Sequence, residues 1–219
     1  MIYVCAGMPR SGSTWLFNAV RLLLKYAGAP DLAGGYVGQS EELLTHRTAI
    51  IKLHPFHPGL AARADVILTT HRDLRDVSAS MQRHYQRGYS AADMTEWVRS
   101  QVRWSQIAAY DLHYENLLVD KLAEIKKIAA ALKLPPATLD TLPYETVARE
   151  IDGEKFKRRF SESTAYDAVN LLHEGHITDG RHGSWEGILS GPCLAAIEKE
   201  FRGWMTLHGY LTSPVPVSR

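Results

Sequence analysis

The chain has 219 residues, with 25 Lys+Arg against 24 Asp+Glu and 45% hydrophobic residues. A chain of this length can withdraw about 70% of its unfolded surface from water, so it reads as one globular domain over 1–219 that needs no disulfide staple. A net charge of +1 excludes a protein that grips a long nucleic acid by bulk electrostatics, and Cys5 and Cys193 supply neither a disulfide framework nor a thiolate zinc site.

Residues 2–6 form a short apolar run ending at Gly7, without a positive leader or a span long enough to cross a bilayer, and the reading is cytoplasmic. Leu16, Phe17, Val20, Leu23 and Leu24 then recur at helical spacing from Ser13 to about Ala27. The glycine-rich stretch from Gly28 to Gln39 reads as a surface loop. Ala49 to Leu53 is a second strand, closed by Pro55 and Pro58. Asp65 to Thr70 is a third, followed by helices over Asp73–Arg87 and Ala91–Gln106. Tyr110 to His113 is a fourth strand, and Lys121–Leu132 is an amphipathic helix stopped by Pro135-Pro136. The basic run Lys155–Arg159 reads as a solvated face. A last helix runs from Pro192 to about Leu207, and 212–219 reads as a frayed tail. Short apolar strands alternating with helices predict an α/β fold: a three-layer α/β/α domain around a mostly parallel sheet.

The first strand-to-helix turn, Gly7-Met8-Pro9-Arg10-Ser11-Gly12-Ser13-Thr14, nearly matches the nucleotide-binding loop G-x-x-x-x-G-K-[ST]. Backbone N–H groups and the helix dipole converge on an anion there. Ser13 occupies the place of the phosphate-reaching lysine, and the cation sits three residues earlier as Arg10. Ligands of open parallel sheets lie beyond the carboxyl ends of the strands. Those ends carry Lys52 and His54, His71 and Arg72, and Tyr114 and Glu115. A metal-dependent P-loop enzyme would end a strand in an Asp, whereas this one ends in His71-Arg72, which favours an anion held without a metal. His54-x-x-His57 and His173-x-x-His176 stand as rival metal pairs, disfavoured by the flanking prolines of the first and the lack of nearby complementary ligands.

Four segments in this order resemble a family. Pro9-Arg10-Ser11-Gly12-Ser13-Thr14-Trp15 is similar to a P-K-S-G-T-T-W loop, and Lys52-Leu53-His54 to a K-T-H segment. Arg72-Asp73-Leu74-Arg75-Asp76-Val77-Ser78-Ala79-Ser80 is similar to R-N-P-K-D-V-x-x-S, and Arg181-His182-Gly183 to an R-K-G loop. The pattern resembles the cytosolic-type sulfotransferases that use 3′-phosphoadenosine 5′-phosphosulfate (PAPS). The resemblance implies transfer of a sulfuryl group to a hydroxyl or amine of a small-molecule or glycan acceptor, leaving 3′-phosphoadenosine 5′-phosphate (PAP). It implies His54 as base, Lys52 and Arg10 as charge-stabilising donors, and a 5′-phosphosulfate loop of Arg10, Ser11, Gly12, Ser13, Thr14 and Trp15. Arg72, Ser80 and the loop of Arg181, His182 and Gly183 would hold the 3′-phosphate, and Tyr114, of a Tyr-Glu pair, would lie near adenine. Pro143-Tyr144 is a looser match to an adenine-stacking segment. A P-loop kinase and an inactive nucleotide-binding module are the alternatives.

Overall fold

The computed structural model describes residues 1–154, 167–173, 175 and 180–212. The Lys155–Arg159 run, His176 and most of the 212–219 tail lie outside them. In chain order the elements are β1 (Ile2–Cys5), α1 (Ser13–Tyr26), β2 (Leu32–Tyr36), a 3-10 turn (Val37–Gln39), α2 (Ser40–Leu43), β3 (Thr48–Lys52), α3 (Pro58–Arg63) and β4 (Val66–His71). These are followed by α4 (Leu74–Tyr85), α5 (Ala91–Ser105), β5 (Tyr110–His113), α6 (Asn116–Val119), α7 (Lys121–Ala131), α8 (Pro136–Thr141), α9 (Tyr144–Gly153), α10 (Gly191–Glu200) and α11 (Arg202–Leu207). The chain divides into two compact units, Met1–His71 with Glu96–His176, and Arg72–Thr95 with Ile177–Arg219.

The first unit is built on a five-stranded sheet, every pairing parallel, in the order β2-β3-β1-β4-β5. Strand side chains alternate between two cores, as the period of two requires. Tyr3, Cys5, Ile50, Val66, Leu68 and Leu112 pack under α1, α7 and α9 through Leu16, Phe17, Val20, Ile125, Ile128, Val147 and Ile151. Val4, Ala6, Ala49, Ile51 and Ile67 face the other way, against Leu60 of α3 and Trp104 of α5. Helices thus cover both faces, which is why the strands read as continuous apolar runs. With β1 central, the chain reverses direction across the sheet at its carboxyl end, the switch point where such sheets bind ligands.

Two expectations are corrected, on the glycine-rich stretch and on the last helix, and the segment after Pro136, given no element above, is defined. Part of the glycine-rich stretch is the edge strand β2, paired with β3 from Leu32↔Thr48 to Tyr36↔Lys52. Its glycines serve close approach: a Cβ on Gly34 would lie 3.0 Å from the Phe17 ring, and one on Gly35 would lie 2.7 Å from the Gln39 amide oxygen. The segment after Pro136 carries α8 and α9, and Val147 and Ile151 of α9 enter the core. The last helix is two, broken at Phe201, whose φ of −108° and ψ of 19° leave the helical region.

In the second unit, α4 buries Leu74, Val77 and Met81, and α10 and α11 bury Ile197 and Met205. Arg75 pairs with Asp73 and Glu198 and donates to the Tyr210 carbonyl at 2.9 Å, tying the start of α4 to α10 and to the chain after α11.

Candidate active site

In the first unit the turn after β1 enters α1 through two left-handed residues, Arg10 (φ 61°) and Gly12 (φ 88°). Gly12 is the N-cap of α1 and offers no side chain, and the first turn contains no acidic residue. The N–H groups that open this 14-residue helix are therefore not satisfied by a capping side chain. A Cβ at Gly12 would lie 2.8 Å from the Tyr114 ring. The ring thus backs the loop, and only glycine fits between them.

Ser11 is fully buried; its hydroxyl donates to the Met8 carbonyl at 2.7 Å, and the Thr70 hydroxyl donates to the Ser11 carbonyl at 2.5 Å. Its side chain shapes the loop and locks it to β4. Ser13 and Thr14 are buried at the helix start, and Trp15 packs on the core beneath α1.

Lys52 ends β3, paired in register with Cys5 on one side and Tyr36 on the other. It is buried, with its ammonium 5.4 Å from the centre of the Tyr36 ring. Burial pushes its pKa down to about 8. Two residues on, His54 places Nδ1 2.7 Å from the Gly7 carbonyl oxygen. A carbonyl only accepts, so Nδ1 carries the hydrogen and Nε2 presents its lone pair. Burial, and secondarily the Lys52 charge, lower the His54 pKa to about 3, so the imidazole is neutral at physiological pH. The segment that carries it is pinned from α5: Trp104 Nε1 donates to the Pro55 carbonyl at 3.3 Å and the Phe56 N–H donates to Ser100 Oγ at 3.1 Å.

His57, the rival metal partner of His54, caps α3: its Nδ1 accepts from the Leu60 N–H at 3.1 Å. Tyr114 follows β5, its N–H donating to the His71 carbonyl at 3.0 Å, and Glu115 pairs with His113 at 3.2 Å. Tyr144 packs on the core with its hydroxyl donating to the Leu139 carbonyl at 2.8 Å.

In the second unit Arg72 is 2% exposed and donates to the Arg181 carbonyl at 2.7 Å. Ser80 lies buried on α4, two turns on. Arg181 and His182 are exposed, and Gly183 turns the loop with φ 72°. The Gly183 N–H donates to Asp76 Oδ2 at 2.9 Å, a partner that the resemblance does not single out. Asp73, Asp76 and His182 hold ligand-type atoms within 4.8 Å of one another, the one such group among the described residues. Both carboxylates already accept N–H donors, Asp73 from Arg75 and Asp76 from the 183–185 loop.

No protein-family model and no curated protein matches the chain. Solved structures do. Mouse sulfotransferase SULT7A1 complexed with PAP superimposes with a TM-score of 0.64 and 16% identity, covering 93% of this chain and 83% of that one. The chain has a sulfotransferase-like fold. Retinol dehydratase in complex with retinol and PAP gives a TM-score of 0.55 at 15% identity, covering 98% of this chain and 83% of that one. The same enzyme with androsterone and PAP gives 0.57 at 15%, covering 99% and 83%.

Within this sulfotransferase fold the candidate residues fall into two sets, each inside one unit. Arg10 to Trp15, Lys52, His54 and Tyr114 belong to the first; Arg72, Ser80, Arg181, His182 and Gly183 belong to the second. Sequence reasoning gave no separate role to Thr70, Ser100, Trp104 and Asp76, whose contacts are with residues far along the chain. Among the described residues no helix is long and apolar enough to cross a membrane.

Proposed function

We propose that the protein is a PAPS-dependent sulfotransferase acting on a hydroxyl or amine of a small-molecule or glycan acceptor. The observation that carries the reading is the His54 Nδ1 bond to the Gly7 carbonyl, which aims a neutral imidazole with a free Nε2 lone pair from the very residue that opens the uncapped phosphate loop. The PAP-bound structures that share the fold, two of them also holding retinol or androsterone, support PAPS as donor and a small alcohol as acceptor.

In such a transfer the bond from sulfur to the 5′-phosphate oxygen breaks as a bond from sulfur to the acceptor oxygen or nitrogen forms. His54 Nε2 takes the acceptor proton, a contribution of about 10²–10⁴-fold. The amides that open α1, with Lys52 and Arg10, stabilise the charge that develops on the leaving phosphate, each donor contributing about 2.7–4 kcal/mol. An anion beside Lys52 also offsets the cation that depresses His54, raising its basicity when the donor is bound. Arg72, Ser80 and Arg181 would take the 3′-phosphate. His54, Lys52 and the loop donors would carry the transfer themselves, and no step is assigned to a metal.

The test is calorimetric titration with PAP, 5′-AMP and ATP, the last with and without Mg²⁺, followed by an acceptor screen with PAPS. Tight PAP binding that weakens strongly in 5′-AMP, with sulfated product lost in His54→Ala, is the expected result. Equal affinities, or a Mg²⁺-dependent preference for ATP, overturn the reading in favour of an inactive module or a kinase.

A further inference from the structure

Asp76 lies on the face of α4 that meets the 180–185 loop, and its carboxylate is fully buried. Oδ2 accepts from the Gly183 N–H at 2.9 Å, while Oδ1 accepts from the Ser184 hydroxyl and the Trp185 N–H, each at 3.0 Å. The left-handed Gly183 turns these amides to one side, forming a concavity of the kind that binds anions, and here the protein's own carboxylate fills it. The Gly183 and Trp185 amides are therefore committed within the chain. Arg181 and His182 are the exposed residues that precede these amides, and the Arg181 carbonyl accepts from Arg72 at 2.7 Å. The Arg72 guanidinium is 3.8 Å from the same Asp76 carboxylate. Arg83 braces the loop from two turns further along α4, donating to the Ser184 carbonyl and hydroxyl at 3.1 and 3.0 Å.

We propose that Asp76 is the positioning residue for 3′-phosphate recognition: through the 183–185 amides and Arg72 it fixes both cations, Arg72 and Arg181, that distinguish PAP from 5′-AMP. The inference rests on the sulfotransferase reading and adds to it a residue that touches no ligand. Charge alone argues the opposite way, since removing a carboxylate beside an anion site should tighten anion binding. Positioning predicts weakening, because an amide in place of the carboxylate sets an NH₂ against an N–H or O–H donor and releases the loop.

The experiment compares wild type, Asp76→Asn and Ser184→Ala by titration with PAP and with 5′-AMP, together with hydrogen exchange at the amides of 183–185. Asp76→Asn should lose about 10- to 100-fold in PAP affinity, and Ser184→Ala about 2- to 10-fold. In both, 5′-AMP affinity should hold and the loop amides should exchange faster. If Asp76→Asn does not fold, Ser184→Ala decides by the same criterion. Unchanged or tighter PAP binding in the variants, with wild type still preferring PAP, overturns the inference and leaves the sulfotransferase reading standing. A wild type without that preference overturns the reading, and the inference with it.

Discussion

Gly12→Ala tests whether the turn between β1 and α1 is built as described. The substitution meets two separate obstacles. At φ 88° and ψ 13° the residue is in left-handed backbone, which costs a non-glycine residue about 1–2 kcal/mol. The new Cβ would also stand 2.8 Å from Tyr114 Cδ2 and 3.3 Å from Cε2, well inside van der Waals contact, while Leu117 at 3.9 Å is unaffected. The ring cannot retreat with its backbone, because the Tyr114 N–H is bonded to the His71 carbonyl and its carbonyl to the Leu117 N–H, each at 3.0 Å. Forcing it aside is overpacking, which costs about 1–3 kcal/mol. The total is about 2–5 kcal/mol, read as a lower urea midpoint at unchanged slope. In a Tyr114→Ala background the clash vanishes and only the backbone share of about 1–2 kcal/mol remains. Equal cost in the two backgrounds would refute the ring-against-loop packing, and a cost below about 1 kcal/mol in both would refute the left-handed turn.

His54→Ala should lower turnover by about 10²–10⁴-fold while PAP affinity is retained; affinity and rate falling together would assign the imidazole to binding instead. With the Lys52 pKa at about 8, PAP affinity should decline as pH is raised through that value, because the neutral amine no longer attracts phosphate, and Lys52→Met should flatten the curve in the same calorimetric series. His54 also couples folding to pH. Its pKa is about 3 in the folded chain against an ordinary 6.5, so between those values the unfolded chain holds a proton that the folded chain lacks. Stability should therefore fall as pH drops below about 6.5, by up to about 1.4 kcal/mol per unit from this one group. His54→Gln should show a shallower slope in denaturation across that range.

The two lysine and histidine positions show how much of the site was legible. Both stand at strand ends in a recognisable spacing, and that spacing identified them. Their chemistry was not legible: Lys52 is depressed by a burial that depends on its neighbours Cys5 and Tyr36, 47 and 16 positions away in the sequence. The tautomer of His54 depends on a carbonyl 47 residues earlier. Asp76 sits inside a motif that the sequence displays, yet its partners are more than 100 residues away and no local pattern names them. Strand β2 was hidden for a different reason. Gly34 and Gly35 carry the signature of a loop, and only the Phe17 ring and the Gln39 side chain show that the glycines make room for neighbours.

Local free energies settled what the sequence by itself determined: where apolar runs become strands, where 3.6-residue periodicity makes helices, and that a glycine-capped helix follows the first strand. The order β2-β3-β1-β4-β5 depends instead on which strands bury each other's apolar faces, a choice made between segments distant in sequence. By placing β1 between β3 and β4, that choice brings the Gly7 carbonyl to His54 and the Ser11 carbonyl to Thr70. Tertiary packing therefore decided the protonation state and direction of the residues that the sequence had only named.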